Sequence, residues 1–305
     1  MALQTETRSA SPAQGGRSAA SLGWFAVPAL VFFVIFAIIP LIGVVFLSFT
    51  SWNGLGEIRL SGLDSWVTAL TSPVTLNAIW VTVKIMFFSL IVQVPISLLL
   101  GVFTAGSQRY RALLAVIYFV PLLLSSAAVA IAFKALLDPN FGMGPGLGLP
   151  ILAQDWLGNP DLVLFVVVFV IAWQFVPFHT LIYQGGVRQI PASFYEAAQI
   201  DGAGRVLQFF HITLPQLKYT MITSTTLMVV GSLAYFDLIF VLTAGGPGYA
   251  TRLLPLHMYL TGFQANDMGA ASALGVILVV VGLGLAILVQ SFGGRNRAAS
   301  QLEGA

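Results

Sequence analysis

Six stretches of this 305-residue chain are each long and apolar enough to cross a bilayer. They run over Trp24–Phe49, Ile79–Phe103, Leu113–Leu136, Leu162–Tyr183, Met221–Leu242 and Ala271–Phe292. A spanning helix needs about 20 predominantly apolar residues. Hydrocarbon offers the backbone no hydrogen-bond partner, so each run must close its bonds internally as a helix. The expected fold is therefore all-α, a polytopic membrane protein with six transmembrane helices. Only 8% of residues are charged and the mean hydropathy is +0.92. Soluble domains carry about 25% charged residues, so a soluble globular fold is excluded. A net charge of +2, thinly scattered, gives no footprint for a nucleic-acid partner. The first run is too long for a signal-peptide core of roughly 7–15 residues. It reads as a retained anchor.

Lysine and arginine give the orientation. With the N-terminus inside, inner segments hold Arg8, Arg17, Arg109, Arg111, Arg188, Arg205, Lys218, Arg295 and Arg297. Outer loops hold only Arg59 and Arg252, with Lys134 at a span end. Cytoplasmic loops collect basic residues, so both termini are expected in the cytosol. Residues 1–23 and 293–305 read as cytoplasmic tails, the first disordered, flanking a six-span domain over 24–292. Gly/Pro-rich outer loops at 139–150 and 245–251 supply turns rather than regular structure.

One cytosolic segment, about 190–215, interrupts the apolar pattern with the sequence PASFYEAAQIDGAGRVLQFFHITLP. Ser193 and Glu196 have the S-x-x-E spacing of a capping box. A helix over Phe194–Asp201 would end at Gly202, where a left-handed cap belongs. A second short helix, about Arg205–Ile212, then approaches Pro215. Phe194, Ala197, Ala198, Ile200, Val206, Phe209 and Phe210 give both helices apolar faces. On these residues alone two readings stay open: a hairpin resting on the membrane surface, or a docking element for a cytosolic partner.

The string from Glu196-Ala197-Ala198 through Asp201-Gly202-Ala203 to Phe209, Ile212, Leu214 and Pro215 resembles the EAA loop of binding-protein-dependent ABC transporter permeases. LTAGGPGYAT (Leu242–Thr251), with Gly245, Gly246 and Pro247, is similar to the outer-loop motif of the sugar-permease branch. Trp156-Leu157 with Pro160, then Trp173, resemble the lead into the fourth span. The similarity covers about 22–292. It implies that Glu196, Ala197, Ala198, Asp201 and Gly202 form a coupling hairpin that docks on an ATPase. It further implies a second homologous permease, two ATPase subunits and an extracytoplasmic solute-binding protein that delivers a sugar or oligosaccharide. ATP and Mg would belong to the ATPases, with no cofactor bound by this chain. The location implied is a bacterial-type inner membrane. Maltose-type subunits can carry extra spans and a large external domain; the outer loop here, about Thr50–Asn77, cannot house one.

For the substrate path, an aromatic surface with a few amide, hydroxyl and carboxylate groups suits a sugar. Resemblance to sugar permeases points to spans four and five, where Gln174, Phe178, Ser232 and Tyr235 are the lining candidates, with Asp237 behind them. Asp237 within span five is far from water and is expected to face a cavity or partner.

Other chemistries lack their residues. His179, His211 and His257 match no zinc motif, no lysine precedes Ser or Thr as in a P-loop, and no cysteine is present. The chain is thus not expected to be an enzyme. An ion-coupled secondary transporter would need intramembrane carboxylates and inverted repeats, for which Asp237 alone is thin support. An ABC permease for glycerol-phosphate or another small polar solute stays open, although spans four and five hold no basic group for a phosphate.

Overall fold

The computed structural model describes residues 23–106 and 108–293. The two tails expected at 1–23 and 293–305 lie, apart from Gly23 and Gly293, outside the described residues. The chain divides into two compact units, 1–46 and 47–305. The first holds nearly all of helix α1 (Trp24–Leu47), which is apolar and exposed along its length. Its middle is a π turn, Val34–Ile38, in which the Ile39 N–H bonds the Val34 carbonyl. Pro40 follows. A proline ring clashes with the carbonyl four residues back, and the wider turn accommodates it.

The second unit begins with a two-stranded antiparallel ribbon, β1 (Thr50–Ser51) and β2 (Arg59–Leu60). Helices follow in order: α2 (Asp64–Thr71), α3 (Pro73–Thr104), α4 (Arg109–Leu123), α5 (Ser126–Leu136), α6 (Met143–Leu147) and α7 (Val163–Arg188). After these come α8 (Ala192–Ile200), α9 (Arg205–Gln208), α10 (Leu214–Gln216), α11 (Lys218–Ser232), α12 (Asp237–Leu242), α13 (Leu254–Tyr259) and α14 (Met268–Ser291).

Six continuous spanning helices were expected; four are present among the described residues, namely α1, α3, α7 and α14. The third apolar run is a bent pair, α4 and α5, meeting at 95°. Leu124 and Ser125 adopt extended backbone there, and Ser125 Oγ accepts from the Ala128 N–H to start α5. The fifth run is split by a turn at 233–236 into α11 and α12. Hydropathy registers the apolar length of such runs and is blind to the backbone break within them. The outer loop at 139–150 is also more regular than its glycines suggested, since it contains the helical turn α6.

The core lies where α3 and α7 cross. Val81 and Ile85 of α3 pack with Val166, Val167, Val170 and Ile171 of α7, and α5, α12 and α13 add Val129, Leu238, Ile239 and Leu256. The two helices approach closely at Gly101, where a Cβ would stand 2.6 Å from Tyr183 Cβ and 3.1 Å from the Thr180 carbonyl. Small residues allow such approach between membrane helices, where packing rather than water drives association. Gln184 Nε2 donates to the Thr104 carbonyl at 2.8 Å and fixes the register. A second cluster, Ala69, Ala78, Leu254, Ala273 and Leu274, joins α2, α3, α13 and α14.

Candidate functional site

The Glu196–Gly202 segment is built by ordinary capping rules. Pro191 has extended backbone (ψ 135°), so α8 starts at Ala192. The capping box expected at Ser193 is not formed, because Ser193 already lies inside the helix and its hydroxyl makes no cap bond. At the other end the expectation holds. Gly202 has φ +78°, its N–H bonds the Gln199 carbonyl at 3.0 Å, and the Ala203 N–H bonds the Ala198 carbonyl at 2.8 Å. These two bonds make a Schellman cap, which satisfies carbonyls that the helix end would leave open.

The chain then turns back through α9, a π turn at Phe209–Thr213, and α10. Leu214 N–H reaches the Phe209 carbonyl just before Pro215, the same solution used ahead of Pro40. Two bonds brace the segment: Tyr195 Oη and Thr213 Oγ1 lie 3.0 Å apart, and Gln208 Nε2 donates to the Ala203 carbonyl at 2.8 Å. Phe209 and Leu214 pack with Leu98, Tyr183 and Leu217, which seats the returning limb on the ends of α3 and α7. Several apolar side chains remain outside: Ile200 is 87% exposed and Val206 72%, with Phe194 and Phe210 about half exposed. Glu196 and Ala197 are exposed and Ala198 half-buried. Glu196 takes part in no ion pair among the described residues.

The substrate-path candidates separate. Gln174, Ser232 and Tyr235 are buried inside the bundle, whereas Phe178 and Asp237 reach its surface. Gln174 Nε2 donates to the Leu124 carbonyl and Ser126 Oγ, each at 3.2 Å, tying α7 to the α4–α5 bend. Ser232 Oγ donates to the Val229 carbonyl at 2.6 Å. Tyr235 packs its ring 5.4 Å from that of Phe175. Asp237 stands at the break in the fifth run rather than inside a continuous helix. It is the first residue of α12, exposed after the break, where a negative charge also suits the helix dipole.

The outer-loop motif is a tightly bonded turn. Thr251 Oγ1 donates to the Gly246 carbonyl at 2.7 Å and lies 2.7 Å from Thr243 Oγ1. Gly245 takes φ +86° and the Gly246–Pro247 peptide is cis. Asn77 Nδ2 donates to the Tyr249 carbonyl at 3.1 Å, and Thr75 Oγ1 lies 2.9 Å from His257 Nε2, joining this loop to the start of α3. Burial, with the nearby Arg252 guanidinium, pushes the His257 imidazole below its ordinary value. Arg252 itself stacks 4.4 Å from the centre of the Tyr249 ring.

The family of binding-protein-dependent transport system inner membrane components matches residues 93–298, which include the whole 190–215 segment and the outer-loop motif. This chain belongs to that family. Among its relatives is the probable ABC transporter permease protein YurN of Bacillus subtilis (strain 168), 32% identical over 275 residues, covering 88% of this chain and 94% of the relative. The arabinooligosaccharides transport system permease protein AraP of the same organism is 30% identical, covering 84% and 83%. In fold, the chain is similar to a crystal structure of a bacterial ABC transporter involved in the import of the acidic polysaccharide alginate. That match has a TM-score of 0.78 and 24% identity, covering 91% of this chain and 96% of the other.

One polar feature of this permease escaped the sequence reading. Ser89, Gln93 and Ser97 are buried along one face of α3, and His179, Thr180 and Tyr183 are buried on α7. His179 Nδ1 lies 3.0 Å from Ser224 Oγ of α11, and the buried Gln93 amide neighbours the Tyr235 hydroxyl. Spacing by four within an apolar run was the available signal, since residues four apart share a helix face.

Proposed function

We propose that this family member is one permease subunit of an ABC importer for a sugar or oligosaccharide, working in a bacterial-type inner membrane with both termini in the cytosol. A second homologous permease completes the path. Two ATPase subunits bind Mg and ATP, and an extracytoplasmic binding protein delivers the sugar to the outer loops around Gly245, Gly246 and Pro247. The sugar assignment draws support from relatives whose names include arabinooligosaccharide and trehalose/maltose transport.

The observation that carries the mechanism is the Schellman-capped turn at Gly202, with apolar Ile200 and Val206 left uncovered beside Glu196. In this reading Glu196, Ala197, Ala198, Asp201 and Gly202 are the contact for an ATPase. The small alanines let the partner approach closely, and the carboxylate meets a basic group on it. The braces from Tyr195 to Thr213 and from Gln208 to Ala203 make the segment stiff enough to carry a push into α3 and α7. Closure of the ATPases around ATP then rocks the helices and switches access from one side of the membrane to the other.

For the path, Phe178 and Asp237 present an aromatic face and a carboxylate to the solute. Gln174, Ser232 and Tyr235 form the layer behind them and join the path when the α4–α5 and α11–α12 breaks open. The test is reversal of charge at the docking contact. Glu196→Lys is expected to lower ATP-dependent uptake in proteoliposomes by at least about tenfold while the chain still inserts, since truncated or reversed hydrogen-bonded charges at interfaces cost roughly 2–5 kcal/mol. Uptake by the variant at the wild-type rate would remove the docking role.

A further inference from the structure

A cleft of about 310 Å³ separates the returning limb of the 192–216 segment from the ends of α3 and α7. Its walls carry Arg111 at the start of α4 and Arg205 at the start of α9, with Tyr195, Gln208 and Thr213 between them. Among the described residues no carboxylate lines it. Arg111 is pinned in place: Nη1 donates to the Phe103 carbonyl at 2.7 Å, Nε donates to Tyr110 Oη at 3.2 Å, and the guanidinium rests 4.7 Å from the Phe103 ring centre. Gly106 leaves the space for it, because a Cβ there would collide with Nη1. Arg205 makes no ion pair among the described residues.

Two like charges lining one small cleft repel each other, more strongly where the local dielectric is low. An anion between them would turn that repulsion into two charge-assisted contacts, and guanidinium groups match phosphate oxygens in geometry. Thr213 and Gln208 are more than nine-tenths buried in the same wall. The paired Tyr195 and Thr213 hydroxyls share one hydrogen bond, so one of their two protons is left for a further acceptor. The remaining lining is apolar, from Val102, Val187 and Phe209.

We propose that this cleft binds the phosphate of an anionic phospholipid headgroup. A basic pocket between spanning helices at the cytoplasmic surface has the chemistry for such a group, and the apolar wall suits the glycerol and upper acyl chain that adjoin it. The assignment to the cytoplasmic leaflet rests on the orientation proposed above; the site itself does not. Bound there, the phosphate links Arg205 on the segment that meets the ATPase to Arg111 on the helix bundle. It would hold the two together during each push.

The test is lipid retention by the purified transporter complex, which needs no knowledge of the sugar. The complex is exchanged into phosphatidylcholine nanodiscs containing phosphatidylglycerol, re-extracted, and its bound lipid weighed by native mass spectrometry. Wild type is expected to keep phosphatidylglycerol, and Arg111→Gln with Arg205→Gln to lose it by about tenfold or more, as expected for two charge-assisted contacts. The charge-keeping pair Arg111→Lys with Arg205→Lys should hold an intermediate amount, which separates lost chemistry from lost folding. Equal retention by wild type and the Gln pair would overturn the site. Displacement of the retained lipid by millimolar inorganic phosphate would overturn its assignment to lipid and give it to a soluble phosphate.

Discussion

Gly202→Val is expected to abolish most ATP-driven uptake while leaving the chain inserted and its long helices formed. Gly202 has φ +78° and open space around the position a Cβ would take. The penalty is thus backbone strain rather than collision, about 1–2 kcal/mol for a side chain forced into the left-handed region. A β-branched residue escapes that strain by abandoning the turn. The bonds from Gly202 to Gln199 and from Ala203 to Ala198 then break, and α8 points elsewhere. Parallel measurement of uptake and ATP hydrolysis in proteoliposomes checks this. Uptake should fall more than about tenfold, as expected when a rigid positioning element is lost, whereas full uptake would show that the turn is dispensable.

The second large effect is expected at Gly101, and there it concerns stability. A side chain at Gly101 meets Tyr183 Cβ at 2.6 Å, the Gln184 nitrogen at 3.1 Å and the Thr180 carbonyl at 3.1 Å. Two of these obstacles are backbone, so no rotamer change clears them and α3 must move off α7. Overpacking of this kind costs roughly 1–3 kcal/mol. Gly101→Val should lower the unfolding midpoint of the detergent-solubilised chain by several degrees, with Gly101→Ala in between. An unchanged midpoint in both would mean that the α3–α7 contact is looser than the geometry requires.

These two glycines differ in how legible they were. Gly202 follows a helix-forming run and precedes a second one, so its role as a cap could be read from local chemistry. The start of that helix could not, because Pro191 with extended backbone displaced the boundary by two residues and made the Ser193 pattern irrelevant. Gly101 lies inside an apolar run, and nothing in its neighbourhood announces which distant helix will press against it. The same limitation explains the broken spans. The 113–136 and 221–242 runs are predominantly apolar, so an average over each run masked the extended Leu124–Ser125 link and the turn at 233–236, although Ser125-Ser126 and Gly231-Ser232 lie beside those breaks. Asp237 was therefore placed within an unbroken fifth span, whereas it begins a new helix after the turn. The residues of the 190–215 segment were readable because polar side chains, glycine and proline act locally. Gln93 was missed because its importance depends on which face of α3 turns inward.

The π turn at Phe209–Thr213 places one more residue in its loop than an α turn would. Each residue of an α-helix advances the side chains by about 100°, so that single insertion sets the rotational phase between the arm bearing Arg205 and the membrane helix α11. Shortening the turn by one residue would leave every apolar residue present yet swing α11 by more than a quarter circle about its axis. His179 would then meet a different side of that helix from the one that now offers Ser224. The cytosolic arm and the membrane interior are geared together at Pro215, and the gear ratio is written in one surplus peptide unit.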